Sequence, residues 1–228
     1  MKVSEIFYSI QGEGKLSGVP SVFIRTSGCN LSCVWCDSDY TSWAPEGELL
    51  EIDQIIQRLD EFPAKHAVLT GGEPMIAPGV EELTRRLKDR GYHLTIETAA
   101  TVWKDVVCDL ASVSPKLGNS TPWKRDGGSH ADQHERTRIN LETIRRFMAL
   151  ADHQLKFVVE TPPDVDEIDA LLARLGGCDP SNVWLMPQGV TAEEIAERGR
   201  WIAEICKDRD FRFSSRLQIT LYGNARGT

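Results

Sequence analysis

The chain has 228 residues, enough to bury one core and to form one or at most two domains. Hydrophobic residues make up 41% and charged residues 26%, as in soluble globular proteins, and no apolar run approaches the roughly 18 residues that a membrane helix needs. The net charge is −8, with Lys and Arg scattered rather than striped, which argues against a nucleic-acid backbone as ligand and favours a small-molecule substrate.

Residues 1–14 carry neither the apolar stretch nor the cleavage pattern of a secretory signal, so a cytoplasmic protein is expected. The first predicted strand comes after residue 18, at 21–25. Further short apolar runs follow at 67–70, 94–97, 112–114, 155–159 and 183–186. Between or after them lie helical patterns at 50–61, 80–90, 139–150, 165–175 and 192–208; Leu83 and Leu87, four apart among charges, show the period. Strand and helix alternate, which implies βαβ units and a parallel sheet. Six strands are too few for a closed eight-stranded barrel, so the expected α/β fold is a partial (incomplete) TIM-like barrel of about six parallel strands. A single domain, 1–228, is expected, with residues 117–138 as a polar, glycine-bearing insertion. The unusual residues fall in the loops after the strands, on the carboxyl edge where such folds bind ligands.

Three of the six cysteines, Cys29, Cys33 and Cys36, lie within one such loop, in CNLSCVWC. Their spacing suits a metal centre better than a disulfide framework. A structural zinc wants four ligands, and no fourth Cys or His lies nearby. A [4Fe–4S] cluster held by three thiolates instead leaves one iron open for the amino and carboxylate groups of S-adenosylmethionine (SAM). Cys108, Cys178 and Cys206 have no partner spacing and read as core thiols. His130 and His134, in the polar insertion, read as solvated rather than metal-binding.

CxxxCxxC after a first strand, followed by Thr70-Gly71-Gly72-Glu73-Pro74 after the second, resembles the radical SAM superfamily. In that resemblance the glycines let the backbone approach the SAM amino group and Glu73 offers acceptors to it. More specific segments resemble the 7-carboxy-7-deazaguanine synthases of the queuosine pathway: EIFYSIQGEG at 5–14, WCDS at 35–38, SPK at 114–116 with NSTP at 119–122, and YGNARG at 222–227.

The resemblance implies a lyase that converts 6-carboxy-5,6,7,8-tetrahydropterin to 7-carboxy-7-deazaguanine with loss of ammonia. It implies SAM contacts at Trp35, Cys36, Asp37, Gly72, Glu73, Ser114, Pro115, Lys116 and Gln188, with Glu97 as a further contact. Substrate contacts fall on Ile10, Gln11, Gly12, Arg25 and Thr70, with 1–18 as a substrate segment, and a Mg2+ ligand falls on Ser38. An Arg at position 25 has the planar fork that binds a carboxylate bidentately. A homodimer reduced by a donor such as a flavodoxin is implied as well. Gln218 stands where the family's tail often has His. A glycyl-radical activating enzyme would share the cysteine motif but bring further cysteine-rich insertions, and an electron-transfer iron–sulfur protein would need a fourth ligand.

Overall fold

The computed structural model describes residues 1–228. Nine strands form one open sheet in the order β3-β1-β2-β4-β5-β6-β7-β8-β9. They are β1 (Lys2–Ile10), β2 (Pro20–Thr26), β3 (Glu48–Leu49), β4 (His66–Gly71), β5 (His93–Thr98), β6 (Leu110–Val113), β7 (Asp152–Val159), β8 (Val183–Pro187) and β9 (Arg212–Phe213). From β2 to β9 every pairing is parallel, whereas β1 runs antiparallel to both β2 and β3. The six expected strands are thus the parallel ones β2 and β4–β8, and the sheet does not close.

The helices are α1 (Ile52–Leu59), α2 (Val80–Asp89), α3 (Ala131–Thr137), α4 (Leu141–Leu150), α5 (Pro163–Leu175), α6 (Ala192–Arg209) and α7 (Leu217–Tyr222). Their ends follow local chemistry. Asn140 accepts from the Thr143 amide at the start of α4, a Thr191–Glu194 capping box opens α6, and Gly176 ends α5 at φ +94°. None of these helices is long and apolar enough to cross a membrane.

The two faces of the sheet differ, because successive strand side chains alternate. Val22 and Ile24 on β2, Ala67 and Leu69 on β4, Leu94 and Ile96 on β5, and Leu155, Phe157 and Val159 on β7 join the main core with helix residues such as Leu83, Phe147, Ile168 and Ile202. The alternate positions, among them Arg25, Thr70, Glu97, Ser112 and Lys156, line a cavity on the opposite face.

The opening segment differs from expectation. Residues 2–10 form the longest strand of the sheet, and a register shift between Val3 and Glu5 breaks the alternation that would have revealed it. The 117–138 insertion contains two 3-10 turns, Gly118–Ser120 and Arg125–Gly128, and the helix α3.

Candidate active site

The cavity, of about 270 Å³, opens among the carboxyl-edge loops. Cys29, Cys33, Cys36, Trp35, Asp37, Ser38, Gly72, Ser114, Lys116 and Gln188 line it from the side of the cysteine loop and the later strands. Ile10, Gln11, Gly12 and Arg25 line it from β1 and β2, and Thr70 from the adjacent β4. Glu73 and Pro115 lie outside this lining and are buried.

The cysteine loop follows β2. Burial pushes the Cys33 thiol up to about 12 and raises Cys29 and Cys36 as well, so thiolate ligands here require the compensating charge of bound iron. Donors already face two of the sulfurs: the Leu31 amide lies 3.4 Å from Cys29 Sγ and the Ser42 hydroxyl 3.4 Å from Cys36 Sγ. The three thiols group together around Leu31 and Ala99, while Cys108, Cys178 and Cys206 lie with the main core. Three cysteine ligands are therefore available here: one short of a structural zinc, and the number that leaves one iron of a four-iron cluster open.

Gly71 and Gly72 serve a packing need. A Cβ at Gly72 would lie 2.2 Å from the Gly28 carbonyl oxygen, and one at Gly71 2.2 Å from that of Thr26. The two loops are zipped by Gly72 N–H to Thr26 O, 3.1 Å, and Glu73 N–H to Gly28 O, 2.9 Å. Glu73 is fully buried, and its carboxylate accepts from Thr98 Oγ1, 2.6 Å, and from the Ala99 and Met75 amides, 2.8 and 3.1 Å. Burial raises its pKa. Its side chain therefore braces the loops after β4 and β5, while Thr70, Gly71 and Gly72 are the part of the motif that lines the cavity.

On the other side, Glu97 accepts from Gln11 Nε2, 3.1 Å, and from Thr70 Oγ1, 2.9 Å, so both expected substrate residues meet on one carboxylate. Arg25 has few partners. Its Nη1 lies 3.4 Å from Ser38 Oγ, its Nε lies 3.4 Å from Glu5 without a hydrogen bond, and its guanidinium sits 5.3 Å from the Phe7 ring centre. Free guanidinium donors beside a cavity suit an incoming carboxylate. Ser38 Oγ donates to Asp37 Oδ1, 3.0 Å. Lys116 Nζ donates to Ser114 Oγ, 2.8 Å, at the edge expected to meet SAM.

Three ionised residues absent from the sequence expectations join this floor. Lys156, in the middle of β7, pairs with Glu13. Glu13 also pairs with Arg216, 3.2 Å, and Arg216 pairs in turn with Asp37. Burial opposes the Glu13 and Asp37 charges, but Lys156 and Arg216 together for the former, and Arg216 with Arg25 for the latter, outweigh it, and both carboxyls titrate below their usual range. A lysine within Leu155-Lys156-Phe157-Val158-Val159 was the one signal in the sequence; its partners lie too far along the chain to be read there.

His134 also departs from expectation. His130 is exposed, but His134 is 1% exposed and hydrogen-bonded, and burial pushes its pKa down to about 4. Among the remaining cysteines, Cys206 is buried in the main core and Cys108 and Cys178 pack against it.

An open parallel sheet whose first two carboxyl-edge loops carry CxxxCxxC and GGEP around one cavity defines a radical SAM enzyme. The radical SAM superfamily profile matches residues 23–117. Over nearly its whole length the chain is similar to named 7-carboxy-7-deazaguanine synthases. It is 43% identical to that of Rhodopirellula baltica, over 99% of this chain and 88% of the relative, and 42% identical to that of Halobacterium salinarum, over 100% and 93%. The crystal structure of QueE from Escherichia coli superposes with a TM-score of 0.72 at 26% identity, covering 95% of this chain and 93% of that one. The chain belongs to the 7-carboxy-7-deazaguanine synthase family.

Proposed function

We propose that this chain converts 6-carboxy-5,6,7,8-tetrahydropterin to 7-carboxy-7-deazaguanine and ammonia, as a step of queuosine biosynthesis. The observation that carries this reading is that the three thiols and the Arg25, Gln11, Thr70 and Glu97 group face one cavity. Cys29, Cys33 and Cys36 would hold the cluster, which with SAM bound would supply radical hydrogen abstraction at C6 of the substrate.

The chain's own residues do the rest. Arg25 binds the substrate carboxylate, Ile10 to Gly12 present backbone groups to the pterin, and Glu97 holds Gln11 and Thr70 for its polar edge. Lys116 and Ser114 receive the SAM carboxylate, and Trp35, Gly72 and Gln188 complete its binding edge. Ser38, held by Asp37 beside Arg25, contributes the hydroxyl to a Mg2+ that takes further oxygens from water and substrate. The chain acts as one domain with 1–18 as its substrate segment, a reading supported by the lining of the cavity by Gln11 and Gly12. A homodimer reduced by a flavodoxin-type donor, with no nucleic-acid partner and a cytoplasmic site of action, completes the reading.

The test is an anaerobic assay of iron-reconstituted protein with SAM, Mg2+, a strong reductant and the tetrahydropterin, analysed by mass spectrometry. The wild type is expected to form 7-carboxy-7-deazaguanine, Cys33→Ala none, and Ser38→Ala less at low Mg2+ than at high. Accumulation of 5′-deoxyadenosine without a deazaguanine product would overturn the substrate assignment.

A further inference from the structure

We infer that His134 is a positioning residue for the cysteine loop: through a neutral imidazole it fixes the backbone on the amino side of Cys33, and through Ser120 the backbone on the other. The Ser32 amide donates to His134 Nδ1 at 3.1 Å, which places the ring proton on Nε2. Nε2 then donates to Ser120 Oγ, 2.9 Å away, and that hydroxyl donates to the Leu117 carbonyl at 2.6 Å. Each donor is used once, and the Leu117 carbonyl accepts from both the hydroxyl and the amide of Ser120. The carbonyl of the same Ser120 accepts from the Val34 amide at 2.8 Å. The amides flanking Cys33 on both sides are therefore tied to one bracket, and Ser120 is fully buried.

The bracket is rigid where it needs to be. Asn119 accepts Trp35 Nε1 on its carbonyl, 3.0 Å, while its side-chain amide donates to Val158 O, 3.1 Å, and to Asp164, 2.9 Å. At the other end of α3, Arg138 ties Glu135, 2.9 Å, to Glu167, 2.7 Å, and donates to Lys116 O, 3.0 Å. Residues 29–36 have no helix or strand of their own. Around Cys33 their shape is thus supported by 117–138 and by the Trp43 indole, which donates to Cys33 O at 3.0 Å, while the Asn30–Thr101 side-chain pair and the Ser42 hydroxyl hold the loop's two ends. Thiols that must meet three corners of one cluster gain from such support, just as hydrogen-bonded outer residues orient the ligands of other metal sites. The insertion is therefore part of the cluster site, although none of its residues supplies a ligand.

This inference rests on the cluster reading and is independent of the pterin assignment. The experiment compares reconstituted wild type with His134→Ala, His134→Gln and His134→Asn. It reads iron per chain, the rate of iron release to a chelator, the electron paramagnetic resonance spectrum of the reduced cluster, and the thermal midpoint of the apo-protein. Asn places its amide oxygen near the position of Nδ1, whereas Gln reaches toward Nε2. His134→Ala and His134→Gln are expected to release iron on the order of 10- to 100-fold faster and to broaden the spectrum, as loss of outer hydrogen-bond partners does at metal sites. His134→Asn is expected to recover most of the wild-type release rate and line shape, although its apo-protein melts as low as that of His134→Gln. Should His134→Ala not fold, Ser120→Ala, which keeps the Val34 bond, is expected to speed release in the same direction by less.

Wild-type release and spectrum in His134→Ala, or release rates that follow the apo melting points with no rescue by Asn, would overturn the inference alone. Failure of the wild type to hold iron on Cys29, Cys33 and Cys36 would overturn the cluster reading and the inference together.

Discussion

Glu13 shows how much of the site depends on single buried charges. Its carboxylate answers both Lys156 and Arg216, whose side chains are 6% and 8% exposed. Glu13→Gln keeps the shape and the Gln218 contact but leaves the Lys156 ammonium without its partner, which is expected to cost about 3–5 kcal/mol in urea unfolding. The pH dependence has a definite sign. Because the folded state lowers the Glu13 pKa below 4.5, its contribution is complete above that value and is lost as the pH falls through the folded pKa. Melts of the wild type are therefore expected to decline on acidification below about pH 4.5, and those of Glu13→Gln to decline less steeply over the same range. The cysteines, Arg25, Thr70 and the Gln11 segment were legible because each sits in a local motif. Glu13, Lys156, Arg216 and His134 were not, since their partners lie across the fold: Glu13 is 143 residues from Lys156 and 203 from Arg216.

The elements divide by how they are buried. Strands β2 and β4–β8 announce themselves as short apolar runs, and the long helices by their 3.6-residue period. By contrast β1 hides behind its register shift, β3 and β9 have two residues each, and α3 is too polar to signal a helix. The alternation of faces makes its own prediction on β7. Phe157→Ala opens a hole in the helix-covered core and is expected to cost about 3–5 kcal/mol in denaturant unfolding. Val158→Ala, one position along, faces the cavity and is expected to cost under about 2 kcal/mol, its effect falling on ligand affinity. Equal losses from the two would contradict the assignment of faces.

At the scale of the whole molecule, both ends of the chain converge on the cavity. The Leu217 amide donates to Gly12 O at 2.9 Å, and Arg226 pairs with Glu5, 3.2 Å, and Glu46, 2.9 Å, while its guanidinium lies 4.0 Å from the Tyr40 ring centre. Residues Gly223 to Thr228 line the same space as Arg25 and Ile10. The cysteine loop after β2 and the side chains of Gln11, Arg25, Thr70 and Glu97 thus face a single cavity, with Ile10 to Gly12 entering it beside the amino end of β2. Hydrogen transfer across this shared cavity is the critical measurement. The measurement uses substrate deuterated at C6, turned over anaerobically with reconstituted enzyme, followed by mass spectrometry of the recovered SAM. Deuterium at the 5′ carbon of SAM is the predicted result, since it requires C6 and the SAM ribose to meet in one space. Product formed while the recovered SAM and any 5′-deoxyadenosine stay free of deuterium would show that C6 and the SAM ribose do not share the cavity.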